Sequence, residues 1–166
     1  MTKRYFEDFP VGAVEEYGPR LVTREEIIAF AARFDPQPFH LDDEAGAASM
    51  LGGLSASGWH TSCLMMRMIA DGLLANSSSM GAPGIEETRW LLPVRPGDSL
   101  TTRWTVKDKR ISKSRPQMGF VTMLFEVLNQ TGQRVLKMTA PMMFARRSPE
   151  PVDATSTRQD SRPAGA

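Results

Sequence analysis

From residue 58 to residue 75 the chain is largely apolar around the whole helical circumference. Trp59, Cys63, Leu64, Met65, Met66, Met68, Ile69, Leu73 and Leu74 fall there, interrupted by Arg67 and Asp71. A helix of that character must be enclosed on most sides. The Arg67–Asp71 pair, spaced i,i+4, would mark its wettest edge. Beyond it the hydrophobic period changes. Residues 87–91 begin a strand stopped by Pro93, and Leu100, Thr102, Trp104 and Val106 alternate with polar residues across 99–108, the pattern of a strand with one buried face. A mostly apolar strand over 120–128, a turn at Asn129-Gln130-Thr131-Gly132 and a return strand over 135–144 follow. Pro141 in that last strand predicts an edge or a bulge. An enclosed helix followed by long antiparallel strands predicts an α+β domain in which a sheet covers the helix.

The segment ahead of this helix holds the candidate site. Residues 11–17 read as a short strand ended by Gly18-Pro19. Thr23 and Glu26 have the spacing of a capping box. Ile27, Phe30, Ala31 and Phe34 then recur at helical spacing. That helix must stop at Asp35, because a residue before proline is pushed out of the helical region. Asp35-Pro36-Gln37-Pro38-Phe39-His40 therefore reads as a stiff, extended loop. It presents a carboxylate and an imidazole that can share one water, one group taking its proton while the other holds it. A helix C-terminus here would favour a protonated histidine and a neutral aspartate. The same residues also suit a proline-rich turn in which Asp35 caps the next segment and His40 is an ordinary, partly buried histidine.

Composition narrows the classes. The 166 residues suffice for one domain with a core, and the net charge of +1 argues against bulk attraction to nucleic acid or a membrane. A single cysteine, Cys63, forms no internal disulfide. The N-terminus lacks an apolar signal region, and the segment 63–74 is too short and too interrupted to span a bilayer. The expectation is a cytoplasmic protein with its domain over 1–146 and a disordered tail over 147–166, where Pro, Ser, Thr, Arg and Ala predominate.

Three elements carry a family resemblance. Asp35-Pro36-Gln37-Pro38-Phe39-His40-Leu41-Asp42 resembles the D-x-N-P-x-H-x-D signature of MaoC-like dehydratases, the (R)-specific enoyl-CoA hydratases. Gly53-Leu54-Ser55-Ala56-Ser57-Gly58-Trp59-His60 is similar to the small-residue run that opens the family's long helix. Leu92-Pro93-Val94-Arg95-Pro96-Gly97-Asp98 is similar to its L-x-P-V-x-x-G-D. The resemblance spans roughly residues 5–146 in the family's order. Gln37 stands where asparagine is usual, Phe34 where a small residue is usual, Ser57 where many members have histidine, and Met66 where a serine often lies.

The resemblance implies a hot-dog fold, a curved antiparallel sheet wrapped around the long helix, in at least a homodimer. It also implies reversible hydration of trans-2-enoyl-CoA thioesters, with Asp35 and His40 activating water and Gly58 offering its N–H to the thioester oxygen. No cofactor is needed, CoA being part of the substrate, and no metal-ligand cluster appears. Ser57 either contacts substrate or caps the helix, and capping is the favoured reading. His60 reads as a hydrogen-bonded core residue, Cys63 as a buried small hydrophobe, and the methionines as core filling more than as an acyl wall. Lys107, Lys109, Arg110, Lys113 and Arg115 either contact CoA phosphates or form a solvated hairpin tip. The competing functions are a hot-dog acyl-CoA thioesterase and a non-catalytic acyl-CoA-binding subunit.

Overall fold

A computed structural model describes residues 2–148. In chain order its elements are β1 (Val14–Leu21), α1 (Arg24–Phe34), α2 (Pro38–Leu41), α3 (Asp43–Ala48), α4 (Gly58–Ile69), β2 (Glu87–Trp90), β3 (Ser99–Ile111), β4 (Met118–Leu128) and β5 (Arg134–Ala145). A 3₁₀ turn at Phe6–Asp8 precedes them, and a π turn at Ala70–Leu74 continues α4. All strands pair antiparallel in one sheet of order β1-β3-β4-β5-β2. The strand alternation puts Trp104, Phe125 and Met138 in register across β3, β4 and β5, all buried. Leu64, Met65, Met68 and Ile69 of α4 complete that core. Truncating any one of these to alanine would cost about 2–5 kcal/mol. The curved sheet covering a helix is the expected hot-dog arrangement.

The capping box forms as its spacing requires. Thr23 Oγ1 accepts the Glu26 N–H at 3.2 Å, and Glu26 Oε1 accepts the Thr23 N–H at 3.1 Å. Helix α1 ends at Phe34, with Asp35 as its C-cap.

Other local readings need correction. Strand β1 does not stop at Gly18-Pro19 but runs on to Leu21. Its register with β3 shifts between Tyr17 and Arg20, so the Gly-Pro pair forms an irregularity within the strand. Gly18 is required there: at φ 134 a Cβ would stand 2.8 Å from the Leu100 carbonyl oxygen. The 35–40 segment is not extended throughout, because Pro38 opens the single helical turn α2. Proline suits that position, its fixed φ being helical and its missing N–H unneeded. Pro141 lies in an interior strand. β2 pairing ends at Glu87↔Thr139, short of it, so no ladder partner asks for the missing N–H on that side.

Helix α4 is less enclosed than its composition implies, since Trp59, Cys63 and Met66 form an exposed stripe on it. Cys63 is therefore not a core residue. The Arg67–Asp71 pair forms, at 2.8 Å, on the exposed edge. Arg147, expected to begin the tail, gives its N–H to Glu7 and its guanidinium to Asp8. The rest of the expected tail, 149–166, lies outside the described residues. Among the described residues no helix is long and apolar enough to cross a membrane.

Candidate functional site

Asp35 leaves the C-terminus of α1 and His40 rides on α2, so the boundary set by Pro36 brings both to one point. His40 Nε2 stands 3.6 Å from Asp35 Oδ2, beyond a direct hydrogen bond and suited to a shared water. His40 Nδ1 lies 2.7 Å from the Ser55 carbonyl oxygen. A carbonyl only accepts, so Nδ1 carries a proton, and Nε2 is the ring nitrogen turned toward Asp35. The imidazole is buried, and the Asp35 side chain is 20% exposed.

Both carboxylate oxygens of Asp35 receive donors. Ser57 Oγ donates to Oδ2 at 2.6 Å and Gln37 Nε2 to Oδ1 at 2.7 Å. The Asp35 carboxyl is accordingly held below its ordinary range, first by the Ser57 hydrogen bond, then by Gln37 and the nearby His40, against partial burial. The helix end alone would favour a neutral Asp35. Direct donors win because a hydrogen bond to a charged group is worth about 1.5–3 kcal/mol, against 0.3–1 kcal/mol for the dipole.

Ser57 is also the N-cap of α4, accepting the Trp59 N–H at 3.2 Å. One hydroxyl thus joins the helix to the acid. The favoured capping reading holds, and the bond to Asp35 is an addition that the sequence alone did not reveal. Gly58 follows as the first residue of α4, and its N–H has no partner within the described residues. A cleft of about 440 Å³ opens here, lined by His40, Ser55 and Gly58 and by apolar side chains including Leu51, Trp90 and Val94. A Cβ on Gly58 would meet the Trp90 indole at 2.7 Å, so glycine is demanded by that packing as well. Trp90 left no signal in the sequence, because its partners Gly58, Trp59 and Ser62 lie far from it along the chain.

His60 does lie in the core, but without the hydrogen bond expected at Nδ1. It stacks on Phe30 at 4.7 Å, and burial pushes its imidazole down. The basic residues are placed elsewhere. Lys109 gives its ammonium to the Phe6 carbonyl and Arg110 packs over the Phe120 ring. Arg110 is level with Phe120 and Met143, whereas the cleft is level with Leu136, where Trp90 pairs. Seven residues of strand separate the two levels, about 23 Å, so within one chain Lys109 and Arg110 stand far from the cleft. Lys113 and Arg115 belong to the turn beyond them. Among the described residues no group of three or more His, Cys, Asp or Glu side chains could hold a metal ion.

Comparison with known proteins places this geometry in context. Residues 8–125 match the family described as a MaoC-like domain. The chain is 41% identical, with a TM-score of 0.80, to a MaoC-like dehydratase of known structure from Rhodospirillum rubrum, over 87% of this chain and 98% of that one. It is 28% identical over 141 residues to the uncharacterised Bacillus subtilis protein YdeM, spanning 84% of this chain and 98% of that protein. The (R)-hydratase PhaJ1 from Pseudomonas aeruginosa shares the fold, at 24% identity and a TM-score of 0.69 over 97% of each chain.

Proposed function

The chain belongs to the MaoC-like domain family, and from that membership and the site we propose that it is a hydro-lyase of trans-2-enoyl-CoA thioesters. The observation that carries this reading is the Asp35–His40 pair. Its two reactive atoms stand 3.6 Å apart, near enough for one water to touch both, and the Ser55 carbonyl engages Nδ1, so that Nε2 is the nitrogen facing Asp35.

In the hydration direction, water held by Asp35 Oδ2 and His40 Nε2 attacks the β-carbon. The pair takes one of its protons and returns a proton to the α-carbon, so base and acid come from the same two groups. Charge develops meanwhile on the thioester oxygen. The Gly58 N–H at the start of α4 is the donor for it, and a donor of this kind is typically worth about 2.7–4 kcal/mol of barrier. Asp35 suits an orienting role, since its two oxygens already accept from Ser57 and Gln37. Dehydration of the (R)-3-hydroxyacyl-CoA is the same path reversed. The likeness to a solved (R)-hydratase supports hydro-lyase chemistry on this fold.

A homodimer completes the proposal. β2 is an edge strand, and the exposed Trp59, Cys63 and Met66 of α4 lie with exposed Ile85 and Trp90 on its side of the sheet. An open strand edge beside an apolar stripe is a ready pairing surface.

The test is loss of conjugated thioester absorbance on a panel of trans-2-enoyl-CoAs, with wild type beside Asp35→Asn and His40→Gln. Turnover that falls at least 100-fold in both variants is expected, the scale of acid–base contributions. Undiminished turnover in the variants would refute the assignment. Release of free CoA would establish a thioesterase, and binding without turnover a non-catalytic subunit.

A further inference from the structure

A second cavity of about 280 Å³ lies farther along α4. Met65, Met66 and Ile69 of α4, Ile85 ahead of β2, and Met138 and Met142 of β5 form much of its wall. It shares no lining residue with the cleft. Yet Thr61, on the wall of the cleft, and Met65, on the wall of the cavity, are one helical turn apart on one face of α4.

At the cavity-side end of the cleft an indole crosses from β2 to α4. Trp90 lines the cleft, pairs with Leu136 two residues short of Met138, and reaches Ser62 one helical turn short of Met66. Trp90 Nε1 donates to Ser62 Oγ at 3.2 Å, and Ser62 Oγ donates in turn to the Gly58 carbonyl at 3.0 Å. The ring lies so close on Gly58 that a Cβ there would stand 2.7 Å from both Cδ2 and Cε2. Trp59 packs edge-on against it at 5.2 Å. Within one chain Trp90 remains 46% exposed, so the indole is anchored at one end while its other face lies on the surface that the proposed homodimer pairs.

We propose that Trp90, tethered by Ser62, is the partition that closes the methionine-lined cavity to an acyl tail and so sets the chain length this site accepts. The proposal rests on the enoyl-CoA reading above and names the substrate class more closely. A short enoyl group is accommodated within the cleft beside Gly58. A longer one meets the indole and must displace it, breaking the Ser62 bond and the packing on Gly58. Beyond the partition, flexible methionines can mould themselves to a tail of variable shape.

The experiment measures kcat/KM for crotonyl-, hexenoyl-, octenoyl- and decenoyl-CoA in wild type, Trp90→Ala, Trp90→Phe and Ser62→Ala. Discrimination by pocket size is about tenfold or more per excluded group. Wild type should therefore favour crotonyl-CoA over decenoyl-CoA by at least tenfold, and Trp90→Ala should erase that ratio. Ser62→Ala and Trp90→Phe, which keep an aromatic ring but lose the tether, should narrow it; they also carry the test if Trp90→Ala does not fold. A wild type that accepts both lengths equally, or a ratio unchanged in all three variants, would overturn the proposal. Should wild type hydrate none of the four, the hydratase reading falls by itself. Calorimetric binding of butyryl- and decanoyl-CoA then reads the partition directly: a tenfold gain for the longer ligand in the variants supports it, and equal ratios refute it.

Discussion

Replacing Ser57 with alanine separates the two tasks of one hydroxyl. The variant loses an N-cap, typically about 1 kcal/mol, together with a 2.6 Å donor to the Asp35 carboxylate. A hydrogen bond to a charged group is worth about 1.5–3 kcal/mol. The lower part of that range applies, because Gln37 still holds Oδ1 and the Asp35 side chain is 20% exposed. The sum at neutral pH is about 2–3 kcal/mol, or a Tm lowered by about 4–12 °C for a chain of this size.

The pH dependence distinguishes the two losses. Asp35 has a folded-state pKa lowered from 3.8, with Ser57 the largest cause. A lowered carboxylate pKa contributes stability above the unfolded-state value, and that contribution is lost as pH falls through the folded-state value. The cap contribution does not titrate in this range. The gap between wild type and Ser57→Ala, measured by urea unfolding from pH 7 downward, should therefore stay constant to about pH 4 and then shrink toward the cap's share of about 1 kcal/mol. The Asp35 carboxyl carbon shift, followed by NMR, should titrate at higher pH in the variant, and Ser57→Thr should restore both readouts. A gap that stays the same at every pH, or an unmoved titration, would show that the hydroxyl caps the helix and does nothing for the acid.

Gly46→Ala should destabilise the protein by about 1–2 kcal/mol, overpacking outweighing the gain in helix propensity. Its Cβ would stand 2.5 Å from the Leu54 nitrogen, in the backbone run leading to the Ser55 carbonyl that holds His40, whereas Gly84→Ala, with open space around it, should be near neutral. Equal denaturant midpoints for the two variants would refute the close contact. The protein should sediment at twice the chain mass, and Trp59→Asp, at a side chain 60% exposed within the chain, should yield a folded monomer; a monomeric wild type at micromolar concentration would remove the pairing surface.

Local physical chemistry made several features legible. Thr23 and Glu26 cap a helix because three residues separate them, and Pro36 ends it at Asp35, so the acid and His40 were readable together as a pair. The alternation from Leu100 to Val106 similarly announced which face of β3 is buried. Each of these depends on residues within one turn or one strand of each other, and there the chain's own stereochemistry decides.

Other features depended on partners distant in sequence. β1 continues past Gly18-Pro19 because β3 supplies Leu100 and Ser99 to pair with Arg20 and Leu21. The ionisation of Asp35 is governed by Ser57, and the orientation of the His40 ring by the Ser55 carbonyl. Cys63 and Met66 are exposed because the sheet wraps only part of α4. Nor could sequence spacing show Trp90 resting on Gly58, or Lys109 and Arg110 standing at the far end of the sheet. The sequence by itself determined most of the elements and set Asp35 close to His40, since those follow from nearest-neighbour sterics and periodicity. Tertiary structure alone decided which donors, walls and charges meet those groups, because each such contact is closed by strand register and helix packing between segments far apart in the chain.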